Sequence, residues 1–203
     1  MKKKKILITG AEGFIARNLS KYLVKKKFVV YGIGTKRFDK KKSTKHSYRK
    51  LINKRISLLN LKKNFKNVDI IIHCAGSGTV QLSNKENYEK NYITTKSVLD
   101  FIIYQKKKPK VLFMSSYSIY GSSHSKPIKE NSKLKPSSSY AITKKLSEDL
   151  LLRFSKKYNL EIKILRLASI YGNGLNKQLL FDACNKISQN KNIFFGTGNE
   201  VRD

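Results

Sequence analysis

The first residues able to do chemistry are glycines. Ile6-Leu-Ile-Thr-Gly10-Ala-Glu-Gly13-Phe-Ile-Ala16 is a short apolar run, a Gly-x-x-Gly turn and the opening of an amphipathic helix pattern. A helix that starts on such a turn presents backbone N–H groups without intrahelical partners, at the positive end of its dipole. That arrangement binds anions, and a dinucleotide pyrophosphate is its natural guest. His46, His73 and His124 show no metal-ligand spacing and read as structural or surface residues. Cys74 and Cys184 form neither a disulfide framework nor a metal site and read as reduced, which points to the cytoplasm.

The elements that must carry this loop follow from periodicity. Ile6 to Thr9 reads as a strand, Phe14 to Lys25 as its crossover helix and Phe28 to Ile33 as a second strand. Residues 35 to 55 are polar, basic and carry no clear period, and Arg55 to Leu59 is the candidate third strand. Val68 to His73 and Lys110 to Met114 are continuous apolar runs of the kind buried on both faces. Asn87 to Tyr104 and Tyr140 to Tyr158 have helical spacing, with a Ser-rich loop from Ser115 to Ser139 between them. Glu161 to Leu165 predicts another strand, Leu175 to Gln189 a helix and Ile193 to Phe195 a short strand. Strands alternating with helices imply an α/β fold: a doubly wound parallel Rossmann sheet covered on both faces.

The chain has 203 residues, 39% of them hydrophobic, enough for one domain and part of another. No apolar run reaches the length of a membrane span. The 44 Lys+Arg against 13 Asp+Glu give a net charge of +31. Such a charge suits a polyanion partner, yet only seven of the cations are Arg, the residue that reads bases bidentately, and the lysines are scattered over all segments. A Lys-rich composition is the favoured explanation, and nucleic acid is not expected as a partner. The densest region, Lys36 to Lys63, keeps weak salt-sensitive polyanion binding open.

Further motifs follow the glycine loop in order: Ile72-His-Cys-Ala-Gly76, Val111-Leu-Phe-Met-Ser-Ser-Tyr-Ser-Ile-Tyr-Gly121, Pro136-Ser-Ser-Ser-Tyr140-Ala-Ile-Thr-Lys144, Leu165-Arg-Leu-Ala-Ser-Ile-Tyr-Gly172 and Gly196-Thr-Gly-Asn-Glu-Val-Arg-Asp203. Together they resemble the NAD-dependent epimerase/dehydratase family, the extended short-chain dehydrogenase/reductases that act on nucleotide sugars, over essentially the whole chain. Gly10, Gly13, Phe14 and Ile15 match the family's cofactor loop, and Ala16 replaces its last glycine, an accepted variant for close helix–strand packing. Many members end strand two with an Asp that binds the adenosine ribose. Gly34 stands there, followed by Thr35, Lys36 and Arg37, which suits a ribose 2′-phosphate and leans the cofactor toward NADP over NAD. The bland alternative is two more cations in a basic chain. The resemblance further implies adenine contacts from Asn60 and Leu61, backbone passage of the cofactor at Cys74, Ala75 and Gly76, and a cofactor-side Asn91. It implies a cofactor contact at Ala168 and substrate contacts at Ser169, which replaces the family's Asn, and at Arg202, which would grip a diphosphate.

The family's catalytic pair is Tyr-x-x-x-Lys. Four such pairs occur (Tyr22/Lys26, Tyr92/Lys96, Tyr104/Lys108 and Tyr140/Lys144), against about two expected by chance, and only the context of Tyr140/Lys144 matches. Residues at i and i+4 share a helix face. Tyr140 would be the acid/base; the Lys144 ammonium and the oxidised nicotinamide would together lower its pKa from about 10, and Lys144 would hold the nicotinamide ribose. Counting back from Tyr120-Gly121 places the third member, which binds the reacting substrate oxygen, at Ser116. Tyr117 and Ser118 stand where family dehydratases carry Asp-Glu, and decarboxylases keep a Glu at the second position, which argues against both activities.

The resemblance thus implies a cytoplasmic NAD(P)-dependent epimerase or ketoreductase of a nucleotide sugar. An NADPH-dependent 4-ketoreductase making a deoxy-sugar is the alternative within the class. A non-catalytic dinucleotide-sensing or RNA-binding Rossmann protein is the alternative outside it. Residues 1–172 are expected to form the NAD(P)-binding domain and 173–203 the start of a truncated substrate domain. A homodimer through the helices at Asn91 to Tyr104 and Tyr140 to Tyr158 is carried over from the family.

Overall fold

The computed structural model describes residues 3–35, 47–76, 86–121, 127–175 and 179–191. The apolar run before the glycine loop forms β1 (Lys5–Thr9), and the amphipathic stretch after it forms α1 (Phe14–Lys25). β2 is Val29–Gly34, β3 Lys50–Asn53, α2 Leu58–Asn64, β4 Ile70–His73 and α3 Glu86–Tyr104. β5 (Lys110–Ser116) runs into a single 3-10 turn, Tyr117–Tyr120. α4 (Ser139–Tyr158), β6 (Ile162–Leu167) and α5 (Leu179–Ser188) complete the order.

The six strands lie side by side as β3-β2-β1-β4-β5-β6. β1 pairs in parallel with β2 on one side and β4 on the other, with Thr9 opposite Ile33 and His73. Strand order therefore reverses between β1 and β4, and in open α/β sheets ligands bind at the carboxyl ends of the strands at that reversal. Thr9, His73 and Ser116 all end strands there or one strand along.

The core fills the space between sheet and helices. Leu7, Ile33, Ile71 and Phe113 from the strands meet Leu99 and Phe101 of α3 and Leu151 of α4. Each such side chain taken out of water stabilises the fold by about 1.5–3 kcal/mol. Helix ends are set locally. Ser138 caps α4 by accepting a hydrogen bond from the Ala141 N–H (3.1 Å), and Asn159 closes it in the left-handed conformation (φ 47°). Ser57 likewise accepts from the Asn60 N–H at the start of α2.

One sequence expectation needs correction here. Arg55 to Leu59 is not the third strand. The strand is Lys50–Asn53, paired in parallel with β2, and Leu58 and Leu59 already belong to α2. The Ser57 cap and the Leu58, Leu61, Phe65 stripe favour a helix turned inward, with Leu61 and Phe65 buried in the core. The proposed strand at Ile193 to Phe195 lies outside the described residues.

The chain divides into two compact units, Met1–Arg166 and Leu167–Asp203. The first holds the sheet up to the end of Arg166 and the four helices that flank it. The second contains α5, on which Leu180 and Ile187 are exposed. Among the described residues no helix is long and apolar enough to cross a membrane.

Candidate active site

The glycine loop is shaped by close backbone contact. Gly10 has φ +68°, a conformation that favours glycine, and a Cβ there would lie 2.8 Å from both the N and the Cα of Ala75. The Gly13 N–H donates to the Gly10 carbonyl (2.8 Å), closing the turn. Gly13 caps α1 without a side chain, and the first turn of α1 carries no acid. The first turn of the helix therefore leaves its positive end available to an anion, as a phosphate-binding loop requires. Ala16 is fully buried, consistent with its role in close packing, whereas Phe14 and Ile15 are half-buried. Tyr48 braces the loop from outside. Its hydroxyl donates to the Ala11 carbonyl at 2.8 Å, and burial holds its proton well above the ordinary range.

At the end of β2, Gly34 is buried against Ala11 and Gly10, and Thr35 is exposed. The first side chain past the strand is thus a hydroxyl and not a carboxylate. These residues fit a dinucleotide: a left-handed glycine, an uncapped helix start and a strand end without a competing acid. Among the described residues no group of His, Cys, Asp or Glu is arranged to hold a metal ion.

The proton-handling residues meet where α4 crosses the end of β5. The Tyr140 phenol faces the Ser116 hydroxyl, which acts to lower its pKa. Ser116 is itself fixed as the cap of the 3-10 turn, accepting from the Ser118 N–H and lying 2.9 Å from the Ser118 hydroxyl. Lys144 is buried one helical turn beyond Tyr140, and its Nζ donates to the Met114 carbonyl at 2.7 Å. The same Nζ would be the nearest atom, at 3.3 Å, to a Cβ placed on Gly76, with Asn91 Oδ1 next at 3.8 Å. Lys144, Asn91 and Gly76 therefore converge. Gly76 follows Ala75, the residue against which Gly10 rests, so the glycine loop and the Tyr/Lys pair share one edge of the sheet.

The electrostatics differ from the sequence expectation in one respect. The expected lowering of the Tyr140 phenol rests on Lys144 together with the oxidised nicotinamide of a bound cofactor, and the chain alone carries only the first. Burial instead pushes Tyr140 above its ordinary 10.0, and the Ser116 hydroxyl is what opposes the rise. The ammonium donates to the Met114 carbonyl and sits 5.8 Å from the Tyr140 ring centroid. Burial lowers Lys144 itself to about 8, against the opposing pull of Cys74 and Glu148. The Cys74 thiol is pushed up to about 12 by burial.

Two buried polar clusters support the site, and neither was singled out in the sequence as a site feature. His73 is fully buried. Its Nδ1 lies 2.6 Å from the Thr9 hydroxyl and its Nε2 lies 3.1 Å from the Thr95 hydroxyl. Burial, then the Lys144 charge, lowers its pKa to about 3 and keeps the ring neutral. The other cluster centres on Glu148, which accepts a short hydrogen bond from the Ser115 hydroxyl and pairs with Arg166 (Nη2 to Oε2, 2.9 Å). Its place one turn beyond Lys144 was the available signal.

The remaining expectations separate by position. Asn60 lies inside α2 and not at a strand end, and its Nδ2 donates to the Arg55 carbonyl (2.8 Å). Leu61 has no exposed surface and packs in the core, so the adenine contacts assigned to this pair rested on the misplaced strand. Ala168 and Ser169 are exposed and belong to the second unit. Lys36, Arg37, Arg202, His46 and His124 lie outside the described residues.

A model of the NAD dependent epimerase/dehydratase family matches residues 6–203. The uncharacterized UDP-glucose epimerase YtcB of Bacillus subtilis is 29% identical, with 98% of this chain and 67% of that protein covered. Protein CapI of Staphylococcus aureus is 30% identical, with 98% and 64% covered. The crystal structure of UDP-glucuronic acid 4-epimerase from Bacillus cereus, in complex with UDP-glucuronic acid and NAD, matches with a TM-score of 0.83 at 26% identity, covering 98% of this chain and 68% of that one. The chain spans about two thirds of the length of these relatives.

Proposed function

Because the chain belongs to the NAD dependent epimerase/dehydratase family, a family of enzymes, we propose that it binds the cofactor of an NAD(P)-dependent nucleotide-sugar epimerase reaction that works through Ser116, Tyr140 and Lys144. The observation that carries this is the convergence of Lys144 and Asn91 at Gly76, with Tyr140 one turn before Lys144 on α4, the Ser116 hydroxyl beside its phenol and the glycine loop on the same sheet edge. In this reading the Ser116 hydroxyl holds the reacting sugar oxygen and the Tyr140 phenol exchanges its proton. Lys144 and Asn91 hold the cofactor's ribose side, and Gly10, Gly13 and the start of α1 hold its pyrophosphate. The nicotinamide, when bound, accepts a hydride and returns it. The absence of carboxylates at Tyr117 and Ser118 favours epimerisation or keto-reduction over elimination of water.

UDP-glucose and UDP-glucuronic acid are the first substrates to test, since relatives are named for them. In the full-length protein, Tyr140→Phe should lower turnover about a thousandfold while leaving NAD binding nearly unchanged. Equal turnover by the variant overturns the assignment.

A second reading, an NADPH-consuming ketoreductase, is favoured by the lack of an acid at Gly34 and Thr35. NADPH binding tighter than NADH, weakened on replacing Lys36 and Arg37, supports it, and tighter NADH binding that ignores those changes removes it. A homodimer remains a proposal, supported by Ile93 on α3 and Ile142 and Leu146 on α4, all exposed. Light scattering on the full-length protein tests it.

A further inference from the structure

We propose that Glu148 is a positioning residue for the Ser116/Tyr140/Lys144 site, holding the end of β5 in register with α4 and setting a buried carboxylate one helical turn from Lys144. The proposal rests on the functional reading above, and its test is chosen to fail separately.

The geometry is a ladder. Tyr140, Lys144 and Glu148 follow one another at single-turn spacing on α4, which places them on one face. They meet the last three residues of β5: Lys144 bonds the Met114 carbonyl and Glu148 the Ser115 hydroxyl, while the Tyr140 phenol faces the Ser116 hydroxyl. The upper two rungs use groups that the proposed reaction needs free to move. Glu148 is the rung that stays.

Its carboxylate also reaches the far side of Ser116. Arg166 Nη2 and Nε both donate to it, at 2.9 and 3.3 Å. Arg166 Nη1 donates in turn to the Tyr120 hydroxyl (2.6 Å) and the Glu130 carbonyl (2.7 Å). Tyr120 ends the 3-10 turn that Ser116 caps. Ser116 is therefore clamped on both sides by one carboxylate: through Ser115 before it and through Arg166 and Tyr120 after it. The Glu148 side chain is only 2% exposed, so this network is shielded from water.

The same carboxylate governs charge. The titratable groups facing Lys144 are Tyr140 and Glu148 from α4, His73 at the end of β4 and Cys74 just after it. Near neutral pH the first is a phenol, the third an uncharged ring and the fourth a thiol. Glu148 is the carboxylate among them, and it pairs with Arg166. Removing it must favour loss of the Lys144 proton, so the pH at which Lys144 discharges must fall.

The test uses the full-length protein carrying isotope-labelled lysine, with the Lys144 resonance assigned by its absence in Lys144→Met. In Glu148→Gln the titration midpoint of Lys144 should drop by about one pH unit, the size expected for one nearby charge. Glu148→Asp, which keeps the charge on a shorter arm, should leave the midpoint in place but lower kcat about tenfold at constant KM, because Ser116 is misplaced while binding is intact. An unchanged midpoint in Glu148→Gln overturns the proposal, and so does wild-type kcat in Glu148→Asp. The titration needs no turnover. If it moves as expected in a protein that neither binds NAD nor acts on a nucleotide sugar, the functional reading fails, the coupling of Glu148 to Lys144 stands, and its positioning role in the reaction is overturned.

Discussion

Around Gly10 the protein is shaped by backbone meeting backbone, whereas around Glu148 it is held by buried charge. At Gly10 the constraint is steric: no Cβ fits between the loop and Ala75. At Glu148 it is electrostatic: a carboxylate that is 2% exposed depends on Arg166 and the Ser115 hydroxyl. A backbone constraint excludes nearly every residue but glycine and so marks the sequence strongly. A charge constraint accepts many local sequences and shows itself only when distant segments are packed together. The two should also break differently, the first by strain and the second by desolvation.

The largest effect is expected on the charged side. Arg166→Met leaves the Glu148 carboxylate buried without its partner and should cost about 3–5 kcal/mol in urea unfolding at neutral pH. The Lys110–Glu161 pair, with both side chains more than half exposed, is the control: Lys110→Met should cost less than about 1 kcal/mol. Equal losses would mean that burial is not what sets the two regions apart.

Gly10→Ala tests the backbone side. Forcing a Cβ into a left-handed turn 2.8 Å from Ala75 should cost about 1–3 kcal/mol and abolish NAD binding measured by calorimetry. Retained NAD binding would show that the loop has room to give.

The smallest effect concerns the joint between the regions. His73 bonds Thr9 at the end of β1 and Thr95 on α3, and its pKa is lowered from 6.5 to about 3. The unfolded chain therefore binds the extra proton between those two values. Stability is full above about 6.5 and falls as pH drops toward about 3. Near pH 4.5 the wild type should have lost about 2 kcal/mol more than His73→Gln, relative to each protein at pH 7. Parallel losses in the two proteins would assign the acid sensitivity to other groups.

How legible each part was follows from the same contrast. β1 and the bounds of α1 could be read directly, because an apolar run, two glycines and a helical period agree at every level. Ser116, Tyr140 and Lys144 could be selected by motif and are brought together by β5 and α4. β3 and α2 were misplaced because Lys50–Asn53 is a four-residue strand with exposed ends and hardly any period. The alternation sought just beyond it belonged to a short helix capped by Ser57. Glu148 was passed over for another reason. An acid four residues after a lysine on a helix normally reads as a solvated pair, as Lys145–Asp149 in fact is. Only the arrival of β6 with Arg166 turns the neighbouring acid into a buried one.

The place of β1 in the sheet also has a consequence for synthesis. It precedes the other described strands in chain order, yet it pairs with β4, and Thr9 meets His73 across 64 residues of sequence. At ribosomal rates of about 5–20 residues per second, the apolar Ile6-Leu-Ile waits on the order of 3–13 seconds for that partner to emerge. During that interval the nascent chain carries an unpaired sticky edge. The lysine run ahead of it, Lys2 to Lys5, is well placed to discourage association between growing chains.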